Sequence, residues 1–263
     1  MPFTASHAAA ALPAHALFRR LPLAALIIGS MAPDYAFFVP FAPFRSETHS
    51  FAGLFTFCLP VGLMLWFVYV RWMERPTMAM FPHDWREKLT PTDPIHWKLV
   101  GLASIGIVLG ACTHNLWDSF THSHTWATSA MPALRESRAA LGGVPAYHLL
   151  QIASSVFGLA VLMMWLLNLR NRPMPQPPHD WSVADAVVSH WTRAAAVVAL
   201  TAGAIGGAVG YYEAYAEYNS GIRIFNFMIG TMAGFAAAWF AIAIWIGARL
   251  RRARAPSTAA PAR

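Results

Sequence analysis

The chain has 263 residues, of which 57% are hydrophobic and only 12% carry a formal charge. Soluble globular domains average about 25% charged residues, so this composition excludes an ordinary soluble protein and favours a multi-pass membrane protein. The net charge of +7 does not indicate a nucleic-acid partner. The surplus arginines stand in short clusters beside apolar runs, where membrane topology accounts for them.

The N-terminal stretch, residues 3–18, is rich in alanine and is followed by Arg19-Arg20. It lacks the basic segment that precedes the apolar part of a cleavable signal peptide. Its length of about 16 residues suits either a short or tilted membrane span or a helix lying in the membrane interface. Only the spanning alternative would bring His7 to the outer face of the membrane.

Six further apolar runs follow, and five of them approach or exceed the about 20 residues that a membrane-spanning helix needs. These five cover residues 51–70, 97–119, 146–168, 191–212 and 224–248. The sixth, residues 21–41, is interrupted by Ala32-Pro33-Asp34, which neighbouring helices can accommodate. We therefore predict an all-α, polytopic membrane protein with about six transmembrane helices and a short N-terminal helix.

The charges of the connectors predict the orientation of these helices. Arginine and lysine residues concentrate in 71–98, in 169–193 and after residue 249, whereas the connector 213–223 carries Glu213, Glu217 and a single arginine. The positive-inside rule places the first three groups, and with them the C-terminus, in the cytoplasm. The outward-facing connectors are then those near residues 42–50, 120–145 and 213–223.

The proline-rich run 172–178 is typical of an extended linker and divides the chain. The predicted organisation is a helical half that carries the candidate site (1–168), a cytoplasmic linker (169–190), a two-helix membrane segment (191–250) and a basic tail (251–263). Such a tail is suited to contact anionic lipid. Cys58 and Cys112 both fall inside apolar runs, which favours packing residues over a disulfide.

The third apolar run ends in side chains that can bind a metal. His114, Asp118 and His122 are spaced four residues apart, so on a continuing helix they form one stripe. Imidazole and carboxylate are ligand types that divalent metals accept. Ionisable groups at the edge of the hydrocarbon layer indicate a functional site. His124 is close enough in sequence to compete with His122 as a ligand.

Other metal-type side chains lie near the ends of neighbouring runs. Taken singly, Asp34 is as readily a kink or capping residue, His49 an N-cap or interfacial residue, and His148 a structural one. The predicted topology brings all three to the outer level of the membrane, together with the stripe on the third run. The combination predicts a metal centre, which His7 joins if the N-terminal stretch crosses the membrane.

These residues, in their order along the chain, resemble a known family. His7, Pro33-Asp34, Thr48-His49-Ser50 and His114-x3-Asp118 resemble the membrane-bound metal-dependent hydrolases, which carry an early Gly/Ser-His, a Pro-Asp-x-Asp, a His-Arg-Gly-x-Thr-His-Ser and a His-x3-Asp. Most of the chain, with Gly-Ser-Met-Ala-Pro-Asp and Leu-Trp-Asp-Ser-Phe-Thr-His, is more closely similar to a bacterial family of unknown function, number 4184 among such domains. The hydrolases are in turn distantly similar to zinc-dependent phospholipase C.

The resemblance implies a divalent metal, zinc first, and a set of ligands. Those ligands are His7, Asp34, His49, His114 and Asp118, with His122 and His148 as further candidates. Asp34 or Asp118 would act as ligand or as general base, and Arg45 would neutralise a phosphate.

The sequence departs from the pattern of those families at three points. Ala36 replaces the second aspartate of Pro-Asp-x-Asp, and Arg45 or Ser46 stands where the first histidine of His-Arg-Gly-x-Thr-His is found. Ile152 follows His148 by four residues where the phospholipases carry glutamate. These differences argue against a three-metal site and leave a site for one or two metals.

The function we expect is metal-dependent hydrolysis of a phosphoester or lipid-linked substrate at the outer face of the bacterial inner membrane, with membrane lipid as partner. The alternative is a non-catalytic membrane protein, such as a transporter, an ion-handling protein or an assembly scaffold. The position of His7 tests the metal centre. A separation of more than about 10 Å from His114 would remove the first ligand, because ligands to one ion lie within about 2 to 2.5 Å of it.

Overall fold

The computed structural model describes residues 3–38, 43–92, 94–137, 143–177 and 179–254, which form helices and loops without a β-strand. Five helices are long and apolar enough to cross a membrane: Phe51–Met80, Trp97–Ala130, Ala146–Asn171, His190–Ala214 and Gly221–Arg254. The prediction of an all-α, polytopic membrane protein with a short N-terminal helix is confirmed.

Most of these segments are continuous α-helices, and short 3₁₀ turns extend some of them. The segment Phe51–Met80 contains two π-helical stretches, Leu54–Cys58 and Tyr69–Met73. In chain order the helices are α1 (Ala11–Leu17), α2 (Leu23–Met31), α3 (Arg45–Thr48), α4 (Phe51–Met80), α5 (His83–Arg86), α6 (Trp97–Thr121), α7 (Trp126–Ala130), α8 (Ala146–Leu167), α9 (Ser182–Val187), α10 (His190–Ala214) and α11 (Ser220–Arg254). A 3₁₀ segment, Thr4–Ala10, leads into α1, and a second, Ala32–Phe38, continues α2.

The first apolar run forms a shorter helix than the other five. Its apolar helix covers Leu23–Phe38, and residues 39–42 lie outside the described part of the chain. The α-helical part ends at Met31, just before Pro33, whose missing N–H cannot continue an α-helical ladder. The chain tightens into a 3₁₀ turn there, and that turn carries Asp34.

The chain divides into two compact units, of which the first comprises Met1–Phe67 and Pro94–Asn168. Within it, α2 and α6 approach closely through glycines. A Cβ added at Gly110 would lie 2.6 Å from the backbone nitrogen of Ser30, and one at Gly29 would lie 2.6 Å from the Cα of Ile107. Only a residue without a Cβ permits this contact. The close approach brings the carbonyl of Ser30 beside the side chain of His114.

The second unit comprises Val68–Asp93 and Leu169–Arg263, and its described residues end at Arg254, inside the predicted basic tail. Helices α10 and α11 pack against each other through Gly203, Gly207, Gly230 and Gly234. The fully buried Arg86 donates hydrogen bonds to the carboxylate of Asp185 and to the carbonyl of Ala79, and its guanidinium lies over the ring of Trp181. Part of the predicted linker 169–190 is helix α9 of this unit.

Candidate metal centre

Ionisable side chains from four separate segments of the first unit meet inside it. The 3₁₀ segment before α1 supplies His7, the turn after α2 supplies Asp34, and His49 is the C-cap of α3. Helix α6 supplies His114 and Asp118. All of these side chains are buried except that of His49, which is 10% exposed.

The face of α6 follows from helical periodicity, but the stripe is shorter than the sequence suggests. His114 and Asp118 lie one turn apart, with Nε2 of the histidine 3.5 Å from Oδ2 of the aspartate. The helix ends at Thr121, and the backbone of His122 is extended. His122 therefore leaves the helical stripe, although its Nδ1 still lies 3.5 Å from Oδ2 of Asp118.

Four of the ligand atoms form a ring in which imidazole nitrogens alternate with carboxylate oxygens. His49 Nε2 lies 3.5 Å from Asp34 Oδ1 and 3.6 Å from Asp118 Oδ2. His114 Nε2 lies 3.7 Å from Asp34 Oδ1 and 3.5 Å from Asp118 Oδ2. A ring with such edges has its centre about 2.5 Å from each corner if it is flat and about 2.2 Å if it is folded into a tetrahedron, which is close to the roughly 2.0–2.2 Å of zinc–ligand bonds.

His7 joins this ring from the N-terminal segment. Its Nε2 lies 3.5 Å from Oδ1 of Asp118, and its ring stacks on that of His114 with 3.9 Å between the centroids. The separation is far inside the limit of about 10 Å beyond which the metal centre would lose this ligand. The N-terminal segment is thus part of the site.

The far side of three histidine rings is held by a backbone carbonyl. Nδ1 of His114 contacts the carbonyl of Ser30 at 2.8 Å, Nδ1 of His49 that of Arg45 at 3.0 Å, and Nδ1 of His122 that of Asp118 at 3.1 Å. A carbonyl can only accept, so Nδ1 carries the proton in each contact. In the neutral ring Nε2 then presents a lone pair, as a metal-binding histidine requires.

The two carboxylates are oriented in the same way, each through one oxygen. Thr4 donates a hydrogen bond to Oδ2 of Asp34 at 2.7 Å, and Nη2 of Arg45 donates to Oδ2 of Asp118 at 2.5 Å. The other oxygen of each group, Oδ1, is buried and has no hydrogen-bond partner. The unpaired Oδ1 of Asp34 faces His49 and His114, whereas the unpaired Oδ1 of Asp118 faces His7 and its Oδ2, bonded to Arg45, faces His49 and His114.

The residues present fit a divalent cation. Five buried ligand atoms lack a hydrogen-bond partner: Nε2 of His7, His49 and His114, and Oδ1 of Asp34 and Asp118. Leaving such atoms unpaired is costly unless something binds them. The site holds two buried carboxylates and one guanidinium, that of Arg45 on Asp118, which leaves negative charge for a cation to neutralise. Ligand atoms of His7, Asp34 and His114, and of His49, His114 and Asp118, lie within 4.8 Å of one another in each trio.

Three of the histidines that the sequence offers as possible ligands are not among the five residues of the centre. His148 is exposed at the start of α8, where its ring stacks on that of Tyr147. His124 is exposed and has a positive φ of 61°. His122 is partly buried beside Asp118 with an unpaired Nε2. Among the described residues, the two trios that can hold an ion include none of these three.

A family model described as a domain of unknown function, DUF4184, matches residues 1–246. The chain belongs to this family. No curated protein and no solved structure matches the chain. Every side chain of the centre lies in the matched range, so the centre is a feature of the DUF4184 domain of this protein.

Three contacts of this DUF4184 centre were not found by reasoning from the sequence. They are the hydroxyl of Thr4 on Asp34, the carbonyl of Ser30 on His114, and Nδ2 of Asn115, which donates to the carbonyl of His49 at 3.0 Å. Thr4 and Asn115 stand close in sequence to His7 and His114, which is a weak signal for a supporting role. Ser30 acts through its backbone, so its residue type gives no signal.

Proposed function

We propose that this protein is a membrane-bound metal-dependent hydrolase that acts on a phosphoester or lipid-linked substrate at the outer face of the bacterial inner membrane. The observation that carries the proposal is the set of five buried, unpaired nitrogen and oxygen atoms, converging from four segments. Structural packing alone would leave these atoms unsatisfied at a cost of about 1–3 kcal/mol each. The resemblance of the histidine and aspartate motifs to membrane-bound metal-dependent hydrolases supports the same conclusion.

The residues that would hold the ion are His7, Asp34, His49, His114 and Asp118, and zinc is the first candidate. When bound, such an ion polarises an ester oxygen and makes a water molecule more acidic. The rings of His49 and His114 would serve as neutral ligands because their Nδ1 protons are held by carbonyls. Asp34 and Asp118 supply the negative charge that favours a divalent cation over a monovalent one.

The position of the Arg45 guanidinium favours an anionic substrate. Its side chain is 36% exposed, whereas those of the five ligands are at most 10% exposed, so a substrate approaches the centre from the Arg45 side. A guanidinium has five N–H donors, and a single nitrogen of Arg45 is engaged with Asp118. The remaining donors suit the oxygens of a phosphate group.

In hydrolysis, a water oxygen bonds to phosphorus while the ester P–O bond breaks. Whichever of Asp34 and Asp118 does not give its unpaired oxygen to the ion would accept the proton of the attacking water with that oxygen. The same proton then neutralises the leaving alcohol. Arg45 stabilises the negative charge that builds on the phosphoryl oxygens.

Exposed aromatic side chains beside the centre favour a substrate held in the membrane. Phe44 immediately precedes α3 and Phe51 begins α4, and each is 80% exposed. Arg45 and His49 lie between them in the chain. A lipid could therefore present its phosphate to Arg45 while its chains contact these rings.

Metal content is the direct test of the centre. Purified wild-type protein should contain stoichiometric zinc or a similar ion by mass spectrometry, and His114→Ala and Asp118→Ala should lose it. His190→Ala, which removes an exposed histidine of the second unit, serves as the matched control and should retain the metal. Wild-type protein that binds no divalent metal would contradict the proposal.

Hydrolysis is tested with bis(p-nitrophenyl) phosphate, p-nitrophenyl acetate and a fluorescent phospholipid in vesicles. Arg45→Gln should raise KM for the phosphate compounds by about tenfold or more, because a charge-assisted hydrogen bond contributes about 1.5–3 kcal/mol. Because Arg45 also bonds Asp118, the assay is run at saturating metal, where the neutral acetate ester should show no such change. Metal-loaded protein that hydrolyses none of the three compounds would favour an ion-handling or scaffold role.

A further inference from the structure

Helix α8 supplies none of the five ligands, yet it packs directly on the segment that carries His7. One of its residues, Gly158, is buried, while its apolar side chains Ile152, Val156 and Phe157 are exposed. The buried part of α8 is thus the contact with the N-terminal segment.

Gly158 and Ser155 of α8 take part in this contact. A Cβ added at Gly158 would lie 2.6 Å from the carbonyl oxygen of Ser6 and 2.8 Å from its Cβ. The hydroxyl of Ser155, three residues earlier on the same face, accepts a hydrogen bond from the backbone N–H of Phe3 at 2.9 Å. The two contacts hold the N-terminal segment immediately before His7.

We propose that Gly158 and Ser155 are positioning residues, through which α8 sets the place of His7 in the metal centre. The inference rests on the proposed metal-dependent function and gives α8 a role that does not depend on His148, its one candidate ligand. It assigns to the third of the five long helices a role in the centre without giving it a ligand.

Position 158 is sensitive to substitution because it contacts the backbone of the N-terminal segment. A side chain at Gly158 would meet the carbonyl of Ser6, which cannot rotate away as a flexible side chain would. Ordinary contacts of a Cβ lie at 3.4 Å or more, so the segment would have to move by roughly 1 Å, whereas metal ligands tolerate deviations of about 0.2 Å. His7 directly follows Ser6 and would be carried away from Asp118 and His114.

The first experiment measures the position of residue 7 without any metal. In a Cys58→Ala, Cys112→Ala background, the pair His7→Cys, His114→Cys should react with a short bis-methanethiosulfonate crosslinker, because the two native rings are stacked. Adding Gly158→Val should lower the yield several-fold. Gly101→Val is the matched control, since no atom lies within 4 Å of a Cβ at that position. An unchanged yield with Gly158→Val, or no crosslink in the parent pair, would overturn the proposal.

The second experiment measures what this position does for the metal. Cobalt(II) is titrated into purified full-length protein and followed by visible absorption. Gly158→Val should weaken binding by about tenfold or more, as expected for a residue that supports a ligand, and Ser155→Ala should weaken it less. The double variant His7→Ala, Gly158→Val should bind no more weakly than His7→Ala alone, because Gly158 acts through His7. Additive losses would overturn the proposal.

The outcomes separate this inference from the proposed function. If the protein binds cobalt but hydrolyses none of the test compounds, the proposed hydrolase activity is wrong. The double-variant comparison then still tests whether α8 positions His7. Protein that binds no cobalt contradicts the metal centre, and the crosslinking yield alone then decides whether α8 positions residue 7. If Gly158→Val does not fold, Ser155→Ala is carried through both experiments in its place, and unchanged crosslinking and cobalt affinity in it overturn the proposal.

Discussion

Four of the five candidate ligands, His49, His114, Asp34 and Asp118, are oriented by a hydrogen bond to a second atom of the same side chain. The rings of His49 and His114 are fixed by backbone carbonyls, and the carboxylate of Asp34 is fixed by the hydroxyl of Thr4. Such outer contacts set the orientation of a ligand before the ion arrives. The affinity of the centre should therefore depend on residues that never touch the metal.

Thr4→Val tests this dependence. Valine has nearly the same shape as threonine but no hydroxyl, so Oδ2 of Asp34 loses its donor and the carboxylate is free to rotate. Loss of such a contact typically costs 10–100-fold in metal affinity, and we expect a value within that range. Cobalt(II) titration of the purified variant gives the measurement.

The matched control is Thr56→Val, since the hydroxyl of Thr56 bonds only the carbonyl of Ala52 on its own helix and is exposed. It should leave cobalt affinity unchanged. Equal affinity of Thr4→Val and wild type would show that Asp34 is not oriented by Thr4, or that it is not a ligand.

At the scale of the helices, the close contact between α2 and α6 fixes the position of the helix that carries His114 and Asp118. These two side chains supply half of the ring of ligand atoms. Gly110 lies one turn before His114 on α6 and faces Ser30 on α2. The same contact therefore packs the two helices and delivers the carbonyl that orients His114. Packing and ligand geometry are coupled at this point.

Comparing Gly110→Ala with Gly101→Ala should separate the effect of the contact between α2 and α6 from the effect of helix propensity. The added Cβ would meet the backbone of Leu26 and Ser30, so we expect destabilisation by about 1–3 kcal/mol together with weaker cobalt binding. Gly101→Ala on the same helix has open space and should be neutral or stabilising by up to about 1 kcal/mol, because alanine is the better helix former. Denaturant unfolding and cobalt titration check both values, and equal stability of the two variants would contradict the packing argument.

The helices and the pair His114 and Asp118 could be predicted from the sequence because both depend on local periodicity. Apolar length defines the spans, and a spacing of four residues places two side chains on one face. His122 shows the limit of this reasoning: the helix ends at Thr121, so His122 leaves the helical stripe and contacts Asp118 from extended backbone. Helix α4 shows a second limit, since it continues to Met80 through Glu74, whose carboxylate accepts hydrogen bonds from Thr92.

The supporting contacts of the centre could not be predicted, since they join segments far apart in the chain. Thr4 meets Asp34 across 30 residues, and Phe3 meets Ser155 across 152. Neither contact has a spacing or a residue pattern that marks it. They depend on how the N-terminal segment packs between α2, α6 and α8, which only the folded chain defines.

For the whole molecule, the distribution of charge predicts the side of the membrane from which a substrate arrives. The connector that carries α3 holds Arg45 and Glu47, whereas the end of α11 holds Arg249, Arg251, Arg252 and Arg254. Positive charge is retained in the cytoplasm during insertion, so the end of α11 should be cytoplasmic and α3 should face outward.

Cysteine labelling decides this orientation. In the Cys58→Ala, Cys112→Ala background, Ser46→Cys on α3 and Arg252→Cys on α11 each place one thiol at an exposed position. A membrane-impermeant maleimide should label Ser46→Cys in spheroplasts and Arg252→Cys only in inside-out membrane vesicles, because the reagent cannot cross the bilayer. The reverse pattern would place the entrance at Arg45 in the cytoplasm and rule out a substrate delivered from the outer face. Labelling of both positions from the same side would contradict the parity of the spans, since an odd number of crossings must separate α3 from the end of α11.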